Sequence, residues 1–410
     1  MSAKPSMFLL LALLLPCLLA PAAVAVDAER VPLRAAEDRE QDRLVAPRLS
    51  PDGRYLAYVQ LRAAAEVLLV TDLRDHRALD PRPRGMRRKN AMFDQTEERV
   101  FLGEHSWCAG SRPGAPNLLL FSAARAKDEK DVYLWAPGWE EPISISQSPA
   151  NDGFARFSPD CGAIVFLSGR GRESGADPYL VTLAGSGGAL PPRPGPVRRL
   201  ASLPSGALFP TFSADGTRVL FVSAGDDPQR ELAVYATAGP LGGEPTVSAL
   251  LRIPEHDIVA PSPSPDDAYL AYYVSSFAPK ETRARDRGER TAIRQDIHVA
   301  RLTVSGGKLA AAPGAAPLVT DVADAHENTY LHGPLWEPDG DSIVTVLRDH
   351  QRGNPVIRVN VPGGKVLETY GGVDFPKDLT FGALDGRRVL LFSGLDGQTT
   401  SVFQRAQGTP

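Results

Sequence analysis

Phe209-Pro210-Thr211-Phe212-Ser213-Ala214-Asp215-Gly216-Thr217-Arg218-Val219-Leu220-Phe221-Val222-Ser223 is the stretch that decides the fold. A short extended run meets a turn at Asp215-Gly216, and a wholly apolar run follows, which is the pattern of a β-hairpin. The phrase returns around Ser50-Pro51-Asp52-Gly53, Ser158-Pro159-Asp160-Cys161-Gly162, Ser264-Pro265-Asp266-Asp267, Glu337-Pro338-Asp339-Gly340 and Leu384-Asp385-Gly386. In Ser-Pro-Asp-Gly, Pro presets φ at the second turn position and Gly accepts positive φ at the fourth. Two copies depart from this chemistry. Cys161 reads as an insertion before Gly162 and Asp267 replaces the Gly, so these two turns are expected to be less regular.

The turn aspartates fall at 52, 160, 215, 266, 339 and 385, with successive gaps of 108, 55, 51, 73 and 46 residues. The first gap holds about two units. A degenerate copy therefore belongs between them, and Ser106-Trp107-Cys108 followed by Asn117-Leu118-Leu119-Leu120-Phe121-Ser122 fits, with an altered turn at Arg112-Pro113-Gly114. Seven units result, with six as the alternative count. Repeats of this length imply a propeller, solenoid or array, and units of four short strands imply propeller blades. The expected fold is an all-β, seven-bladed β-propeller occupying residues 26–410 as one domain.

The Phe/Trp-Ser-Pro-Asp-Gly-x-x-Ile/Leu-x-Phe phrase resembles the TolB-type propeller repeat, which also occurs in propellers of the prolyl-oligopeptidase and dipeptidyl-peptidase group. The resemblance runs through nearly all the chain after its first 25 residues. It implies the fold and leaves function open, because propellers host many unrelated activities. The peptidase likeness would further require a hydrolase domain with a Gly-x-Ser-x-Gly elbow, and no such pentapeptide occurs. TolB itself carries an α/β domain ahead of its propeller, whereas only about 20 residues lie between the leader described next and the first motif.

The N-terminus reads as a targeting segment. Lys4 precedes the apolar run Met7–Leu15, and Ala23-Val24-Ala25 offers a small-x-small cleavage site, so residues 1–25 are expected to be a signal peptide. A retained anchor is the alternative, although Pro16 and Pro21 interrupt the run, and Cys17 would serve a lipoprotein reading. No later segment is long and apolar enough to span a bilayer as a helix, so stable membrane insertion is not expected. Cleavage after Ala25 would change the formal charge from −4 to −5. A chain of that balance gives no sign of a nucleic-acid partner. Export to the periplasm and a monomeric state are the expectations.

After cleavage two cysteines remain, Cys108 and Cys161. The repeat alignment puts both near the first turn of neighbouring blades. They either pair in an oxidising compartment or stay as small buried residues, since adjacent inner strands are not obviously close enough for a bridge. No Cys-x-x-Cys or paired-His spacing accompanies them, so a zinc site is not expected.

Third strands are expected at Val67–Thr71, Asp131–Trp135, Pro178–Thr182, Glu231–Tyr235, Asp296–Ala300, Pro355–Val359 and Ser401–Gln404. Blade one is expected to finish at Arg99–Leu102, with the basic stretch 82–89 as a solvated loop before it. The stretch 184–196 reads as decoration on blade three, and residues 276–294 as a charged insertion in blade five. The last unit lacks a fourth strand. Val31-Pro32-Leu33-Arg34 is expected to supply it and so to close the ring, because an open propeller would expose a sheet edge.

Loops joining second to third strands share a face with the blade-to-blade connections. Residues just ahead of each motif therefore ring one mouth of the channel, where converging loops can present polar groups to one point. The candidate ligand-binding residues there are Asn151, Asp152, His256, Asp257, Glu327, Tyr330, His332 and Lys377. Phe154, Glu255, His326, Asn328 and Asp374 lie beside them. His256, Asp257, Glu327 and His332 would be the ligands of a divalent metal, but polar residues line any wet channel and their spacing has no metal signature. No Walker loop, Gly-x-Gly-x-x-Gly or His-Glu-x-x-His occurs, and no catalytic residue or cofactor is assigned. The function expected from the sequence is non-catalytic binding of a protein, peptide or glycan through this mouth. Two alternatives remain. One is a propeller hydrolase or lyase acting on a sugar or lactone with a channel-bound metal. The other is a peptidase propeller whose hydrolase is a separate chain.

Overall fold

The computed structural model describes residues 28–31, 43–62, 65–81, 105–109, 116–126, 129–184, 192–226, 231–239, 241, 243, 245–277, 292–305, 307–314, 316–323, 333–396 and 399–406. Their strands form seven separate antiparallel sheets. Blade one is built from Arg43–Leu49, Tyr55–Arg62, Ala65–Asp72 and Arg77–Leu79, and blade two from Ser106–Cys108, Leu118–Ala126, Glu129–Trp135 and Ile143–Ser144. Blade three holds Asp152–Phe157, Ala163–Ser168 and Asp177–Ala184, with a fourth strand split into Arg193–Pro194 and Arg198–Arg199. Blade four holds Leu208–Phe212, Val219–Ser223, Ala233–Ala238 and Thr246–Leu251. Blade five holds Asp257–Pro263, Tyr269–Phe277, Ala292–Ser305 and Lys308–Pro313. Blade six holds Leu335–Trp336, Ser342–Val346, Val356–Asn360 and Val366–Tyr370. Blade seven runs Asp374–Leu384, Arg387–Asp396 and Thr399–Ala406, and its fourth strand is Glu29–Arg30 from the other end of the chain.

The second strands explain the ring. Their side chains alternate faces, and both faces are covered by neighbouring blades, so the run must be apolar throughout. In blade two Leu119, Phe121 and Ala123 pack toward blade one, while Leu118 and Leu120 pack toward blade three. In blade seven Leu390 and Phe392 face blade six, while Val389 and Leu391 face blade one. Each junction between consecutive blades has its own core, and the last core joins blade seven back to blade one.

Ring closure by an N-terminal strand is as expected, and its pairing begins two residues before Val31, while 32–34 lie outside the described residues. Glu29 pairs with Gln404 and Arg30 with Phe403, and the Val31 amide donates to the Val402 carbonyl at 3.0 Å. Blade one's fourth strand comes earlier than expected, at Arg77–Leu79 directly after a turn; the basic stretch 82–89 and the expected strand 99–102 lie outside the described residues. The stretch 184–196, expected to be decoration, contains the start of blade three's own fourth strand. The blade-five insertion is shorter than 276–294. Ser276 pairs with Arg294 and Phe277 with Ala292, leaving 278–291 outside the described residues.

The turns repeat atom for atom. In blade one the Ser50 hydroxyl donates to Asp52 Oδ1 at 2.6 Å, the Gly53 amide donates to the Ser50 carbonyl, and the Arg54 amide donates to Asp52 Oδ1. Blade three repeats this with Ser158, Asp160, Cys161 and Gly162, and blade five with Ser264, Asp266, Asp267 and Ala268. These two turns are therefore regular, contrary to the expectation from their residues. Cys161 is not an insertion. It takes the glycine's place at φ 60°, as Asp267 does at φ 55°. A non-glycine residue there costs of order 1 kcal/mol, which the retained hydrogen bonds and new inter-blade contacts offset.

Gly53 separates space from conformation. Its φ is +71°, and a Cβ there would land on the Ala383 carbonyl oxygen of blade seven. Gly386 has φ +73° with open space around it. Gly386→Ala is therefore expected to cost about 1 kcal/mol and Gly53→Ala about 3 kcal/mol, read as urea midpoints at unchanged slope. Equal costs at the two sites would contradict the close packing of the seven–one junction.

Candidate functional site

The first strand of each blade lines the channel, and most of these strands are bulged. The ladder slips between Val45 and Arg48, Gly153 and Arg156, Leu208 and Thr211, and Val259 and Ser262. Each slip holds one residue at positive φ: Ala46, Phe154, Phe209 and Ala260. Alanine bears this conformation at modest cost, but a bulky residue there is an outlier. Phe154 and Phe209 nevertheless occupy it and meet edge to face at 6.3 Å between centroids. Phe154 is 36% exposed, and Lys130 Nζ lies 5.7 Å from its ring centre.

The residues expected at the rim are spread over separate blades. Asn151 Oδ1 accepts from the Lys130 amide at 3.2 Å, and its carbonyl accepts from Gly169. Asp152 is buried, with Oδ2 3.4 Å from Arg170 Nη2. That guanidinium also donates to the Ser146 carbonyl and the Ser168 hydroxyl and lies over the rings of Phe166 and Tyr179. Burial pushes the Asp152 carboxyl up, and Ser168, Ser146 and Arg170 pull it part of the way back. Asp257 is buried in blade five and accepts from the Leu232 amide at 2.7 Å. His256, next to it, is half-buried and lies near His298, whose ring stacks on Tyr272. Lys377 sits in blade seven, where its carbonyl accepts from Ser393 Oγ at 3.3 Å. Glu327, Tyr330 and His332 lie outside the described residues. Of the expected set, the structure brings together Asn151 with Asp152 and His256 with Asp257. Both buried aspartates hold scaffold: Asp152 joins blade three to the connection before it, and Asp257 anchors blade four's third strand.

Deeper in the channel lies a cavity of roughly 320 Å³, lined by the first strands of blades three to six. Its wall includes Arg156, Phe209, Thr211, Ser262 and Trp336, with Pro210, Pro261 and Pro334 between them. The Trp336 indole donates to the Ser262 carbonyl at 2.9 Å, as Trp107 does to Arg48 in the matching place between blades one and two. Sequence reading missed these residues because they lie inside the repeated motif and were read as fold. The available signal was deviation from the repeat: arginine appears at this position only in blades one and three, as Arg48 and Arg156.

His105 lies beside that pair. It is buried, its Nε2 has no hydrogen-bond partner, and burial with the Arg48 and Arg156 charges pushes it down to about 3. A base lowered in the folded state contributes stability above its unfolded value of 6.5, and that stability is lost as pH falls. His105 should therefore cost about 3 kcal/mol between pH 6.5 and about pH 4. His298, lowered by burial, adds with the same sign. The turn carboxylates Asp52, Asp160, Asp215 and Asp266 are lowered from 3.8, so their loss begins at about pH 5 and falls mostly below this window. Urea titrations of His105→Gln are expected to show a pH slope in this window shallower by about one proton. An unchanged slope would place His105's proton elsewhere.

No protein-family model matches the chain, and no curated protein matches it in sequence. Solved structures do match. A Mycobacterium tuberculosis puromycin-hydrolyzing peptidase is 13% identical with a TM-score of 0.55, the match covering 94% of this chain and 56% of that one. Hydrazine synthase of Kuenenia stuttgartiensis is 13% identical with a TM-score of 0.50, covering 90% and 97%. A putative TolB from Agrobacterium tumefaciens is 16% identical with a TM-score of 0.45, covering 73% and 88%. The chain thus spans little more than half the length of the peptidase. Likeness at these identities is one of fold, and it spans proteins with unrelated names. Seven latched sheets make the chain a seven-bladed β-propeller, a fold with which the peptidase and hydrazine synthase matches agree, built from a repeat whose turn phrase resembles the TolB type.

Proposed function

We propose that this chain is an exported, non-catalytic propeller that binds a protein, peptide or glycan at the channel mouth carrying the 276–294 insertion. The observation that carries this reading is the pair Phe154 and Phe209. An exposed aromatic in a left-handed conformation, where blades one and five hold Ala46 and Ala260, is strain kept at a surface, and such strain clusters at binding sites. Exposed aromatics with a neighbouring cation are also the groups that dominate binding energy at interfaces. Asn151, His256 and Lys377, with Glu327, Tyr330 and His332, are the proposed contacts around them, and the buried Asp152 and Asp257 hold that rim in shape. The leader-like residues 1–25 and the Cys108–Cys161 disulfide both fit an oxidising compartment such as the periplasm. Among the described residues no helix is long and apolar enough to cross a membrane.

The test is affinity capture from envelope extract by immobilised wild type, Phe154→Ala and a variant lacking 278–291, with bound proteins quantified by mass spectrometry. A specific partner should be depleted in both variants. Equal recovery on all three would exclude this mouth.

A further inference from the structure

The cavity in the channel has a chemistry of its own. Its lining holds one cation, Arg156, and no carboxylate among the described residues. Arg156 donates one bond to the Ala155 carbonyl at 3.2 Å, and the same lining holds two hydroxyls, Thr211 and Ser262, and two rings, Phe209 and Trp336. The space exists for a backbone reason. Pro210 and Pro261 follow the bulge residues of blades four and five, and blade six carries Gly333 ahead of Pro334, where a Cβ would sit 2.7 Å from the Ala260 carbonyl oxygen. The matching residue of blade one, Arg48, is buried and anchored on the Pro47 and Asp378 carbonyls. Burial is the main reason the proton affinity of His105 is depressed, and the charges of Arg48 and Arg156 add to it.

Resting on the binding function above, we propose that this cavity takes the C-terminal end of a peptide, its carboxylate on Arg156 and its last side chain between Phe209 and Trp336. Guanidinium matches a carboxylate in shape and charge, and the bond is stronger away from bulk water. A chain end also brings amide donors and an apolar side chain, which suit a wall that mixes hydroxyls, carbonyls and rings. The volume stands at the low end of the roughly 300–1,000 Å³ usual for ligand pockets, so it holds one or two residues and not a folded domain.

The test titrates the full chain with N-acetyl-Ala-Ala-Phe as free acid, the same peptide as C-terminal amide, and N-acetyl-phenylalanine, followed by saturation-transfer NMR. The acid should bind about tenfold more tightly than the amide, the worth of one charge-assisted hydrogen bond. Arg156→Gln should erase that difference, and Arg156→Lys should keep part of it. Equal binding of acid and amide to the wild type overturns the proposal without need of any variant. So does a preference that survives Arg156→Gln, or no binding of the acid. N-acetyl-phenylalanine binding as well as the tripeptide would make the ligand a small free acid and overturn the peptide assignment. The two readings fail separately. Partner capture lost with 278–291 while acid and amide bind alike removes only the cavity proposal, and the reverse result removes only the rim.

Discussion

Removing residues 26–31 is expected to lower the unfolding free energy by about 5 kcal/mol, the largest single effect available in this fold. The segment contributes two or three backbone hydrogen bonds along Thr399–Ala406, at roughly 1 kcal/mol each. It also buries Val31, 5% exposed, in the core between blades seven and one, worth about 2 kcal/mol. Deletion leaves Thr399–Ala406 as a bare sheet edge in the one blade assembled from both ends of the chain, so concentration-dependent association should accompany the loss. Val31→Asp should reproduce most of it. Arg30→Ala, with its side chain exposed, should stay within about 0.5 kcal/mol of the wild type. Urea denaturation with sedimentation velocity measures both effects. A deleted chain with the wild-type midpoint would mean that the ring does not depend on its latch.

The latch illustrates what could and could not be read from residues alone. That some N-terminal strand must fill blade seven followed from counting strands in the last repeat. Where it sits did not, because two residues of strand carry no periodicity. Val31-Pro32-Leu33-Arg34 reads as the short strand, whereas the paired residues are the two before it, and 32–34 lie outside the described residues. Blade one's fourth strand, Arg77-Ala78-Leu79, was hidden for the same reason and because its residues are largely exposed. The second strands were legible at once, since burial on both faces demands an unbroken apolar run. The rim was legible as a place but not as a set of roles. Asp152 and Asp257 look like ligand groups in a sequence, and only coordinates place their oxygens against Arg170 and the Leu232 amide. The cavity escaped notice because Phe209, Thr211 and Trp336 belong to the motif that defines the fold, where function and architecture share the same residues.

Breaking the disulfide between Cys108 and Cys161 should cost about 4 kcal/mol, from the entropy of a loop of this length in the unfolded chain. The sulfurs are joined across 53 positions of sequence, with the Cα atoms 6.0 Å apart. The distance between neighbouring inner strands does not prevent it, because the bridge runs from the last residue of blade two's first strand to the turn of blade three. Trp107 matches Trp336 in its bond to the preceding blade, which puts Cys108 at the serine place of blade two's turn. Cys161 is at the glycine place of blade three's turn. In blades four and six that place leans on the preceding turn: a Cβ on Gly216 would meet Pro159 at 3.4 Å, and one on Gly340 would meet Asp266 at 3.6 Å. Asp267 uses the same proximity without a covalent bond, accepting from the Ala214 and Asp215 amides at 2.8 Å each. Disulfide and carboxylate are thus two versions of one clasp between consecutive turns. Cys108→Ser, Cys161→Ser and the double variant should lose the same amount in urea, because either change opens the same loop. Dithiothreitol should destabilise the wild type and leave all three variants unmoved. Asp267→Ala should lose about 2 kcal/mol from two amides left without their acceptor, and this loss should add to the cysteine loss because the clasps share no partner. A double cysteine variant as stable as the wild type would show that the unfolded chain is already held together across blades two and three by something other than this bond.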